Sequence, residues 1–332
     1  MIEVRACARL HLGLLDNNGE QGRLYGSIGL AVDRPQLVLK AEEADGLQVE
    51  GLETERVAVY AQRFINYFGF PAGARLTLSS GIPAHVGLGS GTQTALAVGV
   101  ALARLSGSRL SARDIAKALG RGLHSGVGLS TFMRGGFVLD GGRRILSRSD
   151  GASAAIGQSG RMEKEGLPPL LFRHAVPRTW FFVVILPKAD PGLSGEREER
   201  VLTQLPPAPS SLVEKISRLL LMKMLPALVE KDIANFGQAL TGIQCLVGDC
   251  FAPVQGGRYA APLLEKLVGF LLDKGAAGAG QSSWGPTVYG LVEGKACAQT
   301  LAREASSYLE SLGGGDIFCV QPQNHGAQVR KL

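Results

Sequence analysis

Apolar and polar positions alternate with a period of two from Glu3 to Leu14 and again from Gln36 to Ala41, which predicts two strands. Between them, LYGSIGLAVD carries Gly26 and Gly29 and predicts a bend with close backbone approach. Residues 53–68 set Val57, Phe64, Ile65 and Phe68 on one side, a helical pattern that Gly69 and Pro71 stop. Ala74 to Ser80 alternates again and leads into GIPAHVGLGSGTQ. From Thr92 to Leu105 the chain is apolar on nearly every face of a helix, so that helix is expected to be buried. Ser111, with Asp114 three residues on, reads as a capping box for a helix running to Leu119.

Residues 141–178 change character: Gly, Ser, Arg and Pro dominate and the periodicity fades. This predicts a surface connection and a domain boundary, with domains at 1–165 and 166–332. Beyond it come a strand at 179–187 and helical patterns at 211–225, 226–247 and 259–273, the first two separated by Pro226. Strand-like 287–292, helical 295–312 and strand-like 316–321 complete the chain, with no internal repeat.

Composition narrows the functional classes. The 332 residues are 45% hydrophobic and 19% charged, the profile of a globular protein with a sizeable core. The net charge of +6 is spread along the chain, and aromatic residues make up only 6%. That suits small anionic substrates and argues against nucleic acid as a partner. Five cysteines without a CxxC pair point to neither a disulfide framework nor a zinc site. The charged N-terminus has no signal-peptide core and no apolar run is long enough to span a bilayer, so no membrane partner and a cytoplasmic location are expected.

The segment HVGLGSGTQ at 85–93 carries the chemistry most openly. Glycines let backbone N–H groups converge on an anion, and the helix that follows presents unpaired N–H groups and its positive dipole end. No Gly-Lys-Ser/Thr follows, and the glycine spacing does not fit the dinucleotide fingerprint. Pro83, Gly87, Leu88, Gly89 and Ser90 resemble the central phosphate-binding motif of the GHMP kinase superfamily. ARLHLGLLD at 8–16 and GAAGAGQSSWGPTVYG at 275–290 resemble its first and third motifs. The resemblance covers essentially the whole chain. It implies an α+β, two-domain GHMP kinase fold, with an N-terminal α/β domain and a C-terminal ferredoxin-like domain.

The departures matter as much. In many of those kinases an Asp in a Ser-Gly-x-Asp segment is the base; HSGVGLSTFMRGG at 124–136 has Gly128 there. Gly91 replaces a second serine of the loop, and Arg9 stands where lysine is frequent. ARLHLGLLD, YGSIGLAVD, HVGLGSGTQ, SGVGLSTFMRGGFVLDGG, GLSGERE, IQCLVGDCFAPVQGG and GQSSWGPTVYG together resemble the β-ribofuranosylaminobenzene 5′-phosphate synthases of tetrahydromethanopterin biosynthesis. The resemblance implies condensation of phosphoribosyl pyrophosphate with 4-aminobenzoate, or 4-hydroxybenzoate in some organisms, releasing carbon dioxide and pyrophosphate. An ATP-dependent kinase and a non-catalytic ligand-binding protein are the competing classes. Mg²⁺ is implied by the diphosphate substrate and the family, with no ligands assigned, and a homodimer is compatible with the resemblance.

Roles follow from motif positions. Gly87, Gly89, Ser90, Gly91, Thr92 and Gln93 are expected to hold pyrophosphate, with His85 beside them. Arg9 and His11 alternate on one strand and so share a face; with His124 and Ser125 they form the expected catalytic group. Ser27, Asp33, Gln281, Ser282, Ser283 and Trp284 are expected to contact the ribose or the aryl ring, Trp284 by stacking.

Overall fold

The chain begins with two long antiparallel strands, β1 (Ile2–Asp16) and β2 (Arg23–Glu43), paired from Ile2↔Ala41 to Asp16↔Tyr25. This computed structural model describes residues 1–70, 73–146, 161–162, 166–189, 201–202 and 204–332. There follow β3 (Leu47–Gly51), α1 (Thr54–Phe68), β4 (Ala74–Ser80), α2 (Ser90–Leu105), α3 (Ala112–Ala118) and α4 (Val127–Arg134). Strands β5 (Phe137–Asp140), β6 (Arg143–Leu146), β7 (Arg161–Met162) and β8 (Leu170–His174) close this unit. Its sheet runs β13-β1-β2-β4-β3, where β13 (Gln328–Lys331) is the returning C-terminus; β5 pairs with Ser27–Leu30 of β2 and carries β8 on its other edge.

The second unit starts with β9 (Trp180–Pro187). Helix α5 (Ser210–Leu219) passes through a π turn (Leu220–Met224) into α6 (Leu225–Glu230). Then come α7 (Ile233–Gln255), α8 (Pro262–Asp273), β10 (Gly278–Gln281), β11 (Val288–Glu293), α9 (Lys295–Ser311) and β12 (Gly315–Val320). The antiparallel order β10-β11-β9-β12 is the ferredoxin-like arrangement, as expected.

One continuous apolar cluster joins the units. It includes Val4, Leu10 and Leu30 of the large sheet, Ala95 to Ala103 of α2, and Trp180, Phe236 and Tyr289. Twelve of the sixteen residues of α2 are buried, as its all-round apolar pattern predicts. Each fully buried Leu or Val there contributes about 1.5–3 kcal/mol, which anchors the body of α2 in the core. Gly69 caps α1 in a left-handed conformation, and the Ser111–Asp114 box caps α3 reciprocally.

Three expectations are corrected. LYGSIGLAVD lies within one continuous strand, because both edges of β2 find partners along its length; the expected close backbone approach holds at Gly29, where a Cβ would lie 2.5 Å from the Leu10 carbonyl oxygen. The Gly- and Arg-rich stretch from 141 carries β6 and β8, so it extends the large sheet; residues 147–160 and 163–165 and the motif GLSGERE lie outside the described residues, as does Pro71. Pro226 does not divide two helices: the wider π turn before it accommodates its ring, and the break falls at Lys231 (φ 63°).

Candidate active site

Three segments distant in sequence are stitched together around the glycine loop. The Arg9 N–H donates to the Leu88 carbonyl (3.1 Å), and the Arg9 guanidinium donates to the Gly87 carbonyl (2.5 Å). From the third motif, Ser282 Oγ donates to the same Gly87 carbonyl (2.7 Å) and Thr287 Oγ1 to that of Val86 (2.6 Å). Ser282 Oγ also accepts the His11 N–H (3.0 Å). The loop, β1 and the β10–β11 turn therefore form one unit.

Above this junction opens a cavity of about 340 Å³, a size suited to a small metabolite. One end is polar and cationic: Arg9, His11, Thr92, Arg121, His124 and Ser125 line it. The other is apolar and aromatic, with Leu14, Tyr25, Leu202, Val247, Phe251 and Trp284. Trp284 packs edge-on to Phe251 with ring centroids 4.7 Å apart, and Tyr25 meets the His124 ring at 5.6 Å. Gln244 of α7 ties the halves together, donating to the Leu12 carbonyl (2.6 Å) and accepting the Gln281 N–H (2.9 Å). Tyr25 (φ 76°) and Ser283 (φ 58°) both hold left-handed backbone at this cavity, the kind of local strain that clusters at working sites.

Of the residues predicted from sequence, Arg9, His11, Thr92, His124, Ser125, Gln281, Ser283 and Trp284 line this cavity. Gly87, Gly89 and Ser282 sit in the junction beneath it; Ser90 Oγ accepts from Arg56 (3.1 Å), and Gly91 lies between Arg56 and Arg121. Four residues do not face it. His85 is exposed. Gln93 is buried and donates to the Gly128 carbonyl (2.9 Å). Ser27 is the cross-strand partner of Asp140 in the interior. Asp33 accepts the Gln321 N–H (2.8 Å), anchors the end of β12 and lines a separate hollow with Lys295 and Phe318. Arg121, Tyr25, Gln244 and Phe251 also line the cavity without having been singled out; Tyr25 lies in the quoted YGSIGLAVD and the last two in IQCLVGDCFAPVQGG.

No carboxylate lines the cavity among the described residues, and no group of three metal-binding side chains exists among them. The described walls therefore do not offer a Mg²⁺ site of their own. A Cβ at Gly128 would lie 3.1 Å from Thr92 Cγ2, so a side chain there would require Thr92 to give way by a few tenths of an ångström.

Two buried groups have displaced pKa values: His11 in the cavity wall, and Asp140 behind it, where it accepts the Gly126 N–H. Burial, with the Arg9 charge second, lowers the pKa of His11 from about 6.5 to about 3, so its imidazole is neutral beside Ser125 Oγ (3.3 Å). Burial raises Asp140 to about 6, against the stabilising N–H donors of Gly142 (2.9 Å) and Gly126 (2.8 Å). Their linkages have opposite signs. The depressed His11 contributes stability above pH 6.5 that is lost as pH falls toward 3. The raised Asp140 contributes stability below its ordinary pKa of 3.8 that is lost as pH rises through about 6. Denaturant titrations should show the stability difference between wild type and His11→Gln shrinking by about 1.4 kcal/mol per pH unit below 6.5. For Asp140→Asn the difference should grow as pH falls from 6 to 4. Flat differences across both windows would contradict these assignments.

Residues 55–136 match the family described as GHMP kinases N terminal domain, and residues 224–311 that described as GHMP kinases C terminal. The chain is 34% identical over 334 aligned positions to the beta-ribofuranosylphenol 5′-phosphate synthase of Methanothermobacter thermautotrophicus, covering 98% of this chain and 97% of that one. Its identity to the enzyme of the same name from Archaeoglobus fulgidus is 37%, over 89% of each chain. Among solved structures, mevalonate diphosphate decarboxylase from Staphylococcus aureus superimposes with a TM-score of 0.67 at 15% identity, covering 100% of this chain and 99% of that one, a likeness of fold.

Proposed function

The chain belongs to the beta-ribofuranosylphenol 5′-phosphate synthase family, pentosyltransferase-type enzymes on the GHMP fold, and from this premise we propose that it joins an activated ribose phosphate to a benzoate with loss of carbon dioxide. The substrates of this reading are phosphoribosyl pyrophosphate and a para-substituted benzoate. The relatives are named for a phenol product, which favours 4-hydroxybenzoate over 4-aminobenzoate. The pathway would be tetrahydromethanopterin biosynthesis.

The observation that carries the reading is one cavity with a cationic end and an aromatic end, in a fold whose kinase-base position holds Gly128. Arg9, Arg121 and the N-terminus of α2 receive the diphosphate; Trp284, Phe251 and Tyr25 flank the aryl ring. As the C1–oxygen bond of the ribose breaks, pyrophosphate departs with the electron pair. The ring carbon bearing the carboxylate attacks C1, and the carboxylate leaves as carbon dioxide, returning its electrons to the ring. Bonds and charges balance without a proton, so a neutral His11 suffices, positioning Ser125 rather than titrating. The protein's task is orientation, charge stabilisation and exclusion of water from the oxocarbenium-like centre. Mg²⁺, the expected cofactor, would supply charge neutralisation to the leaving diphosphate.

The test is incubation with phosphoribosyl pyrophosphate, magnesium and each benzoate, with the product examined by NMR. A ribosyl C1 bonded directly to aromatic carbon is expected. Consumption of ATP with a hydroxylated acceptor, and no such product, would install phosphoryl transfer instead.

A further inference from the structure

A side chain outside every motif quoted above completes the cationic end. Helix α3 ends in a Schellman turn: the Arg121 N–H donates to the Ala116 carbonyl (2.7 Å) and the Gly120 N–H to that of Lys117 (3.1 Å), with Gly120 left-handed at φ 64°. This turn delivers Arg121 onto the face of Tyr60, its guanidinium carbon 5.0 Å from the ring centroid, and one Nη donates to the Tyr60 hydroxyl. The other Nη reaches the first turn of α2: a Cβ at Gly91 would lie only 3.4 Å from it. The Nε–H is buried with no acceptor among the described residues.

Charge balance separates this arginine from Arg56 and Arg258. Arg56, also near Gly91, is paired with Glu53 (3.2 Å). Arg258, elsewhere on the cavity wall, is paired with Asp249 (2.8 Å). Among the described residues no carboxylate pairs with Arg121, although it lines the cavity beside Thr92. An unneutralised, pre-oriented guanidinium stabilises most the group whose charge grows during reaction. In the proposed chemistry that group is the departing diphosphate; the 5′-phosphate keeps its charge throughout. We infer that Arg121 is a catalytic residue that grips the diphosphate leaving group over the Gly91 gap. The inference rests on the reading of the reaction given above.

Calorimetric titration of the full chain with inorganic pyrophosphate and, separately, ribose 5-phosphate tests it. Arg121→Ala and Arg121→Gln, the second retaining a polar stem over Tyr60, are compared with wild type. Both should lose about tenfold or more in pyrophosphate affinity while ribose 5-phosphate binding changes less than about twofold. Turnover should fall by about 100-fold. Unchanged melting temperature identifies folded variants. Pyrophosphate affinity within threefold of wild type in either folded variant, an equal loss for both ligands, or a wild type blind to pyrophosphate would overturn the assignment. If wild type binds pyrophosphate and the variants do not, but wild type releases no carbon dioxide from benzoates, Arg121 remains a diphosphate ligand and only the reading of the reaction fails.

Discussion

Gly87→Ala is expected to lower kcat/KM by about 100-fold and to destabilise the protein by ~2–4 kcal/mol. The reason is local and steric. Gly87 has φ 89°, and an added methyl would overlap the Ser282 carbonyl oxygen and crowd the backbone of Gly285 (3.2 Å). Both obstacles are main chain, so neither can swing aside as a flexible side chain would. Relief requires the loop to part from the third motif. That parting breaks the Ser282 and Arg9 bonds to the Gly87 carbonyl together, and with them the register of β1 against the loop. Steady-state kinetics and urea melts measure the two effects. A Gly87→Ala protein with wild-type kcat/KM would show that the junction does not set the site.

The second large effect is at Arg9. Its guanidinium both holds the loop and lines the cavity, with its stem beside Gly89, where a Cβ would lie 2.9 Å from Arg9 Cγ. Arg9→Ala therefore removes a charge from the diphosphate end and a brace from the loop; kcat/KM should drop by about two to three orders of magnitude. Arg9→Lys separates the contributions. It restores the charge but not the planar fork, and should recover about tenfold of the loss. Full recovery with lysine would mean that charge alone matters there, and no loss with alanine would remove Arg9 from the site.

The parts legible in the sequence were those written in local pattern. The apolar α2, the Ser111–Asp114 box and the alternation in β1 each declare themselves within a dozen residues, and the structure has them. The three glycine-rich motifs were legible by resemblance, and the structure brings them together through hydrogen bonds spanning up to 271 positions. What escaped depends on distant pairing. β13 exists because β1 has a free edge for Val329 and its neighbours, which nothing near residue 329 announces. Pro226 reads as a break until the π turn before it is seen. Asp33 shares a motif with Ser27, yet five residues of strand run between them, so only the fold reveals that they serve different places. Arg121 escaped because a guanidinium after a helix looks like surface; the Schellman turn and the stack on Tyr60 turn it inward.

One reaction is central: carbon–carbon bond formation at the ribose with loss of both diphosphate and carboxylate. The most direct measurement supplies benzoate labelled in its carboxyl carbon, as the 4-hydroxy and the 4-amino compound, with phosphoribosyl pyrophosphate and magnesium. Labelled carbon dioxide and pyrophosphate are quantified over time. The prediction is release of both in equal amounts, dependent on protein and abolished by omitting either substrate. Pyrophosphate released without carbon dioxide, or neither above the protein-free control with both benzoates, would contradict it.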